Sequence, residues 1–581
     1  MNSADAGARD DRSGAGQHGP GIEHLLEAAV EWERIDPDPA SRMQMRLVIE
    51  RSDPAELADV IGTRLQFGTA GLRAALGPGP NRMNRLVVRR AAAGLSRHLL
   101  DMVSDCRERG VVIGRDGRHG SEAFARDVVE VVAAHGIRVY AFDEPVPTPL
   151  VACALSELDA CAGVVITASH NPASDNGMKV YWGDGAQIVA PIDAGIAAAM
   201  EAVSADGAIL PDPPGSPAPV RALGGSSSDD EVVLAYLDRA MSIARRNPDA
   251  VVAPPVRIAS TSLHGVGAPL LERVLRAGGY TDLHQVASQA EPDPDFPTVS
   301  FPNPEEPGAL DELFALADLV DAAVAIANDP DADRLAVAVR DRGGTWQALS
   351  GDETGALLAH HLLDQTRGLP ERLVATTIVS SRLLRSMAES DGVHFAETLT
   401  GFKWLCRPGI EHPDRHQILL YEEALGYAIG PTTRDKDGIV AALVVADLVA
   451  ALRRTERSVH DVLDELAERH GVHTQHNGSV RLEGPGALAR AGETVDRLVA
   501  DTPTQLGGIP VVEVDRPAPD VVRLLLTDGT RVVVRPSGTE PKLKYYCEAI
   551  QPVEGSVDDA RAVARQRLDM VVSDLERLLA R

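Results

Sequence analysis

Residues 111–142 read VVIGRDGRHGSEAFARDVVEVVAAHGIRVYAF, and this stretch decides the fold class. The apolar run Val111-Val112-Ile113 predicts a buried strand and Gly114-Arg115-Asp116-Gly117-Arg118 a polar loop. A helix over Ser121–His135 and a second strand over Arg138–Phe142 follow. Strand, loop, helix, strand is the repeating unit of an α/β sheet, in which chemistry sits on loops at the carboxyl ends of the strands. The same beat returns at Val256–Ala259 followed by Leu270–Ala277, at Ala322–Ala327, at Leu373–Val379 and at Ile418–Leu420. The last hundred residues differ. Close-spaced strands at Val511–Val514, Val521–Leu526 and Arg531–Val534, then an apolar-periodic helix from Val557 to Leu579, predict an α+β unit.

The expected fold class is therefore α/β, with three similar α/β domains plus a C-terminal α+β domain. The boundaries read as a disordered tail over 1–20, domains over 21–210, 229–340 and 345–465, and a final domain over 475–581. A Pro/Gly/Ser-rich stretch, Leu210–Ser228, and a turn-rich one, Arg340–Gly344, supply the breaks. Residues 22–60 carry helical periodicity and read as packing helices.

Length and charge narrow the function. A chain of 581 residues is too long for a single small binding module, and its formal charge of −28 repels nucleic acid and anionic lipid. No apolar run reaches about 18 residues, and the polar N-terminus lacks a signal-peptide core, so a cytoplasmic protein is expected. Five cysteines without a CxxC suit reduced thiols. Only five of the 57 basic residues are lysines: Lys179, Lys403, Lys436, Lys542 and Lys544. In an arginine-dominated chain a lysine marks a place that needs a compact, titratable ammonium.

Three segments carry chemistry. Thr167-Ala168-Ser169-His170-Asn171-Pro172, extended by Asn176-Gly177-Met178-Lys179, follows an apolar strand and presents a serine. No GxSxG elbow occurs, and His170, as the next residue, is expected to point differently from Ser169, so a hydrolase pair is not expected. Asn328-Asp329-Pro330-Asp331-Ala332-Asp333-Arg334 places alternate carboxylates on a loop, where they converge on one hard cation. An EF-hand fails, since Arg334 and Arg340 stand where Gly and Glu belong, and an open Mg²⁺ site fits better. Arg535-Pro536-Ser537-Gly538-Thr539-Glu540-Pro541-Lys542 offers amides, hydroxyls and two cations as an oxyanion cradle. Two weaker loops deliver Arg73 (Phe67–Arg73) and the paired carboxylates Glu422 and Glu423 (Tyr421–Tyr427).

In this order, FGTAGLR, TASHNPxxxNGxK, DPDADR, the EExxG loop and RPSGTEPK resemble the α-D-phosphohexomutase superfamily from about residue 60 onward. Thr398–Trp404, Leu263–Gly267 and Phe301–Glu306 are similar to its branch of type-2 phosphoglucomutases and phosphopentomutases. The resemblance implies four domains around a central cleft and an intramolecular phosphotransferase acting on sugar phosphates, as a monomer or homodimer. It further implies a resting enzyme phosphorylated on Ser169, with Mg²⁺ held by Asp329, Asp331, Asp333 and the serine phosphate, and a sugar bisphosphate as primer. By the same resemblance Lys179 transfers a proton, His170 belongs to the catalytic loop, and Arg73 and Arg334 steady the reacting group. Lys403, Glu422 and Glu423 meet the sugar, while Arg535, Ser537, Gly538, Thr539 and Lys542 anchor its other phosphate. Hexose 1-/6-phosphates come first as substrates, with pentose 1-/5-phosphates or bisphosphate synthesis as alternatives. Against the bacterial pattern GExSGH, Leu425 replaces the serine and Tyr427 the histidine, so one sugar hydroxyl is expected to lose a polar partner.

Overall fold

The structure, a computed structural model, describes residues 21–68, 71–211, 216–244, 256–482, 487–537 and 542–580. The tail expected over 1–20 lies outside them. Four sheets organise the chain. In the first, Ala162–Ile166, Val111–Arg115, Val139–Phe142 and Val220–Leu223 run parallel, and Asp175–Trp182 and Leu72–Ala75 add antiparallel at one side. The second sets Val324–Ala327, Ile258–Thr261 and Leu283–Gln285 parallel, with Ala336–Arg340 and Trp346–Ala348 antiparallel beside them. The third repeats this plan with His394–Thr398, Arg372–Thr377 and His416–Glu422 parallel and Gly426–Ile429 antiparallel. The fourth is wholly antiparallel, and helix Val557–Leu579 packs on it, as the expected α+β unit requires.

Both expected breaks hold structure. Arg340–Gly344 leads into a hairpin inside the second sheet, with Ala338 paired to Ala348. Leu210–Ser228 contains Val220–Leu223, an edge strand of the first sheet. The N-terminal periodicity is three helices, Ile22–Ile35, Pro39–Arg51 and Pro54–Ile61, which bury Leu25, Trp32, Met45 and Leu57 against Leu86 and Val87.

The first three sheets share one apolar core. Helix Gly438–Arg454, GIVAALVVADLVAALRR, is apolar on every side, so it lies inside: Gly438 through Ala450 are all buried. It packs on helices Ala268–Ala277, Glu231–Ala244 and Gly351–Gln365. Three tyrosines cross to the same segment. Tyr181 donates to Asp435, Tyr236 to Asp437 at 2.8 Å and Tyr280 to Asp447, so each buried carboxylate has a partner. The fourth sheet keeps a separate core of Val522, Val532, Leu543, Leu568 and Leu575.

Candidate active site

Ser169 leaves strand Ala162–Ile166 with φ +53°, in the left-handed region that a serine seldom occupies. A clamp holds that turn. Arg118 donates to the carbonyls of Ser169, Asn171 (2.7 Å) and Pro172 (2.8 Å), lies beside Asp116 at 3.2 Å, and stacks on Phe296 at 4.9 Å. The serine is 3% exposed, because a loop of the second sheet closes over it: its Oγ donates to Asp329 at 2.7 Å. His170 does not point away. Its Nδ1 lies 3.1 Å from Ser169 Oγ, since the left-handed turn removes the alternation that an extended chain would give. Burial, reinforced by Arg334 and Arg73, keeps that imidazole neutral, with its pKa well below the usual range.

Asp329, Asp331 and Asp333 follow strand Val324–Ala327, are fully buried, and bring carboxylate oxygens within 4.8 Å of one another. Gly265 lets this loop pack tightly, for a Cβ there would lie 2.3 Å from Pro330 Cα. Residues around the first sheet complete the cluster. Lys179 donates to Asp331 (2.7 Å) and Asp333 (2.6 Å), and Thr148 to Asp331 (2.7 Å). Lys436 stands 3.2 Å from Asp333. Even so, Asp331 Oδ1 and Asp333 Oδ1 are buried without a hydrogen-bond partner. Burial and the two neighbouring charges push the Asp329 carboxyl up to about 8. Two orphaned oxygens and a disfavoured charge are what a small oxygen-seeking dication would satisfy, so the donor set fits Mg²⁺.

Around this centre stand arginines with unused donors. Arg73 bonds Asn171 Oδ1 at 2.9 Å and Arg334 bonds Glu305 at 3.3 Å, and each buries an Nε–H that has no acceptor. Glu423 accepts from Ser380 (3.0 Å) and Thr377 (3.2 Å), while burial pushes Glu422 up to about 7 against the pull of Lys436. In the fourth sheet Arg535 bonds Tyr546 at 3.0 Å and also buries a free Nε–H; Lys544 is its cross-strand neighbour. Burial, Arg535 and Lys542 together lower the pKa of Lys544, against the pull of Glu423. Ser537 N donates to the Lys542 carbonyl at 2.8 Å, and Gly538 and Thr539 lie outside the described residues. A phosphate dianion would relieve these crowded cations.

Family models match most of the chain. Four consecutive domains of the description phosphoglucomutase/phosphomannomutase match, the three alpha/beta/alpha domains over residues 64–206, 235–344 and 350–470 and the C-terminal domain over 481–562. The chain belongs to that family. Phosphopentomutase of Homo sapiens is 34% identical over 95% of this chain and 95% of its own, and a probable phosphomannomutase of Haemophilus influenzae is 39% identical over 80% and 93%. Relatives named phosphoglucomutase and glucose 1,6-bisphosphate synthase also match. A putative phosphomannomutase from Thermus thermophilus shares the fold, with a TM-score of 0.67 at 24% identity over 89% of this chain and all of that one. The protein is thus a mutase, an isomerase of the α-D-phosphohexomutase superfamily. None of the mutase's described helices is long and apolar enough to cross a membrane.

Within the mutase, Ser169, His170, Lys179 and the three aspartates form one cluster, with Arg73 and Arg334 beside it. Lys403, on the short helix Phe402–Leu405, accepts at its carbonyl from Arg407 Nε at 3.0 Å, and burial lowers the pKa of its ammonium against the pull of Asp193. Leu425 and Tyr427 are both buried. Tyr427 pairs in register with Tyr421, is fully buried, and spends its hydroxyl on the Gly351 carbonyl at 3.3 Å. Leu425 packs into the second sheet's core. Tyr427 lies on the strand Gly426–Ile429, and Leu425 precedes it at φ +62°. Arg118, Lys436, Lys544 and Glu305 escaped the sequence reading as site residues. The rarity of lysine was the one available signal for two of them.

Proposed function

We propose that the protein moves a phosphoryl group between C1 and the terminal carbon of an aldose phosphate, through a phosphoserine at Ser169 and a sugar bisphosphate. The observation that carries this reading is Ser169 Oγ, 2.7 Å from Asp329 in a cluster with two orphaned carboxylate oxygens. In the first half-reaction the P–O bond to Ser169 breaks as one to a sugar hydroxyl forms, and that hydroxyl's proton ends on Ser169 Oγ; in the second the P–O bond of the other phosphate to the sugar breaks, one to Ser169 forms, and the serine proton ends on the freed sugar oxygen. Mg²⁺ held by the three aspartates would neutralise the oxygens of the group in transit. Arg118 fixes the loop, neutral His170 can pass a proton at Nδ1, and Lys179, kept charged by Asp331 and Asp333 against the cost of burial, serves as an acid. The bisphosphate turns around between the halves, so one anchor, Arg535 with Lys542 and Lys544, receives either phosphate.

For the sugar, pentose 1-/5-phosphates move ahead of the hexose 1-/6-phosphates expected first. The human relative named phosphopentomutase aligns over 95% of the chain, the one named probable phosphomannomutase over 80%. The test is kcat/KM for ribose, deoxyribose, glucose and mannose 1-phosphates, with and without a bisphosphate primer. Pentose values at or above the glucose value support the order given; steady release of bisphosphate would make the protein a synthase; no interconversion at all would refute the reading.

Two variants probe the pocket. Arg535→Ala should raise KM on the order of tenfold or more while changing kcat far less, because contacts to the non-reacting phosphate persist into the transition state. A normal KM would place the anchor elsewhere. The double variant Leu425→Ser, Tyr427→His should lose about 3 kcal/mol or more of stability, since both side chains are core. Its pentose-to-hexose ratio should stay within about twofold of wild type; a larger change would show that these positions reach the sugar.

A further inference from the structure

The fourth sheet meets the third through a small apolar patch, Ile378, Val379, Val533 and Tyr546, and through a buried polar cluster beside it. Glu548, 1% exposed, lies at the centre of that cluster. It accepts from Ser381 Oγ (2.9 Å), Arg382 N (2.9 Å), Arg382 Nε (2.7 Å) and His473 Nδ1 (3.0 Å), and pairs with Arg531 at 3.2 Å. Burial opposes its charge, but Arg531 and His473 prevail and hold the carboxyl well below the usual range. Arg531 in turn donates to the Ser380 carbonyl. Ser380 then reaches the site: its hydroxyl donates to Glu423 Oε2 at 3.0 Å and accepts from Glu423 N at 3.1 Å.

The other end of the same ladder is the phosphate anchor. Arg531 and Arg535 lie on one strand, Arg531–Pro536, paired in register with Glu548 and Lys544 of the next. Four residues of strand separate them by about 13 Å. One stiff element therefore carries the anchor at one end and, at the other, a cluster that terminates on a carboxylate of the candidate sugar loop. An apolar seam alone would hold the two domains together as strongly, whereas hydrogen bonds of fixed direction set one relative position.

We propose that Glu548, Arg531 and Ser380 are positioning residues that fix the span between the phosphate anchor and Glu423, so that a sugar phosphate is held at both ends of a set distance. This inference rests on the mutase reading above. The span matters twice per turnover, because the turning bisphosphate must meet it in both orientations.

Glu548→Gln and Ser380→Ala test it. Each should raise KM for the sugar 1-phosphate on the order of tenfold, the scale of one hydrogen bond to a charged group. kcat should change by less than about threefold, and more bisphosphate should escape per turnover. Loading of Ser169 from a sugar bisphosphate, followed by intact-protein mass, should remain complete. On an Arg535→Ala background Ser380→Ala should add nothing, since the span then has only one end. Should Glu548→Gln fail to fold, Ser380→Ala, which removes one hydroxyl, carries the test. Folded variants with wild-type KM, or effects that multiply with those of Arg535→Ala, overturn the inference alone. A wild-type protein inert toward every sugar phosphate overturns the mutase reading and this inference with it.

Discussion

Ser169→Ala should lower turnover by about 10⁴-fold or more, the scale on which covalent catalysts lose rate when the nucleophile is removed. The fold should survive. The substitution deletes one hydroxyl whose hydrogen bonds run to Asp329 and His170, and the loop's conformation is held chiefly by the Arg118 guanidinium on its carbonyls. A stability change of about 1 kcal/mol is expected, readable as a small shift in Tm. Kinetics and thermal melting on the same preparation separate the two effects. An alanine variant with wild-type turnover would remove Ser169 from the chemistry, and a collapsed melt would recast it as a structural residue.

Asp331→Asn should be nearly as severe, for a different reason. Its Oδ1 is one of the two orphaned oxygens, and its Oδ2 already binds Lys179 and Thr148. The amide removes a charge from the cation's donor set and breaks the Lys179 pair together. Activity should fall by about 10²-fold or more at saturating substrate. A second readout does not depend on turnover. Mg²⁺ at a hundred times its Kd should stabilise the wild type by about 2.7 kcal/mol, and the variant far less. Equal Mg²⁺-induced rises in Tm for both proteins would show that the ion binds elsewhere, and full activity after chelation would show that it is not needed.

Much of this arrangement was legible in the chain because local pattern and fold agree. The apolar runs before the Ser169 and Asp329–Asp333 loops are parallel strands, and the Val557–Leu579 periodicity is a helix over those residues. DPDADR could be read because three carboxylates in five residues have few other uses. What escaped was set by tertiary contact. His170 faces Ser169 only because the serine adopts a left-handed turn, and that turn depends on Arg118 from a loop 51 residues earlier. Tyr427 reads as a residue of the cleft because it follows Glu422 and Glu423 in the sequence, yet its strand Gly426–Ile429 is buried at every position. Val220–Leu223 hides in a Pro/Gly/Ser-rich stretch because an edge strand needs little apolar content. Apart from Arg531 on the neighbouring strand, the Glu548 cluster joins residues 75 to 167 positions apart, and no spacing rule reaches that far.

A single-turnover chase shows whether the phosphoryl group passes through Ser169. The protein is loaded with ³²P from a labelled sugar bisphosphate, freed of ligand, and mixed with an unlabelled sugar 1-phosphate. Label should leave the peptide containing Ser169 and appear in sugar phosphate within one turnover, and Ser169→Ala should never acquire it. Label that stays on the protein while product forms, or loads equally on the alanine variant, would contradict passage through Ser169.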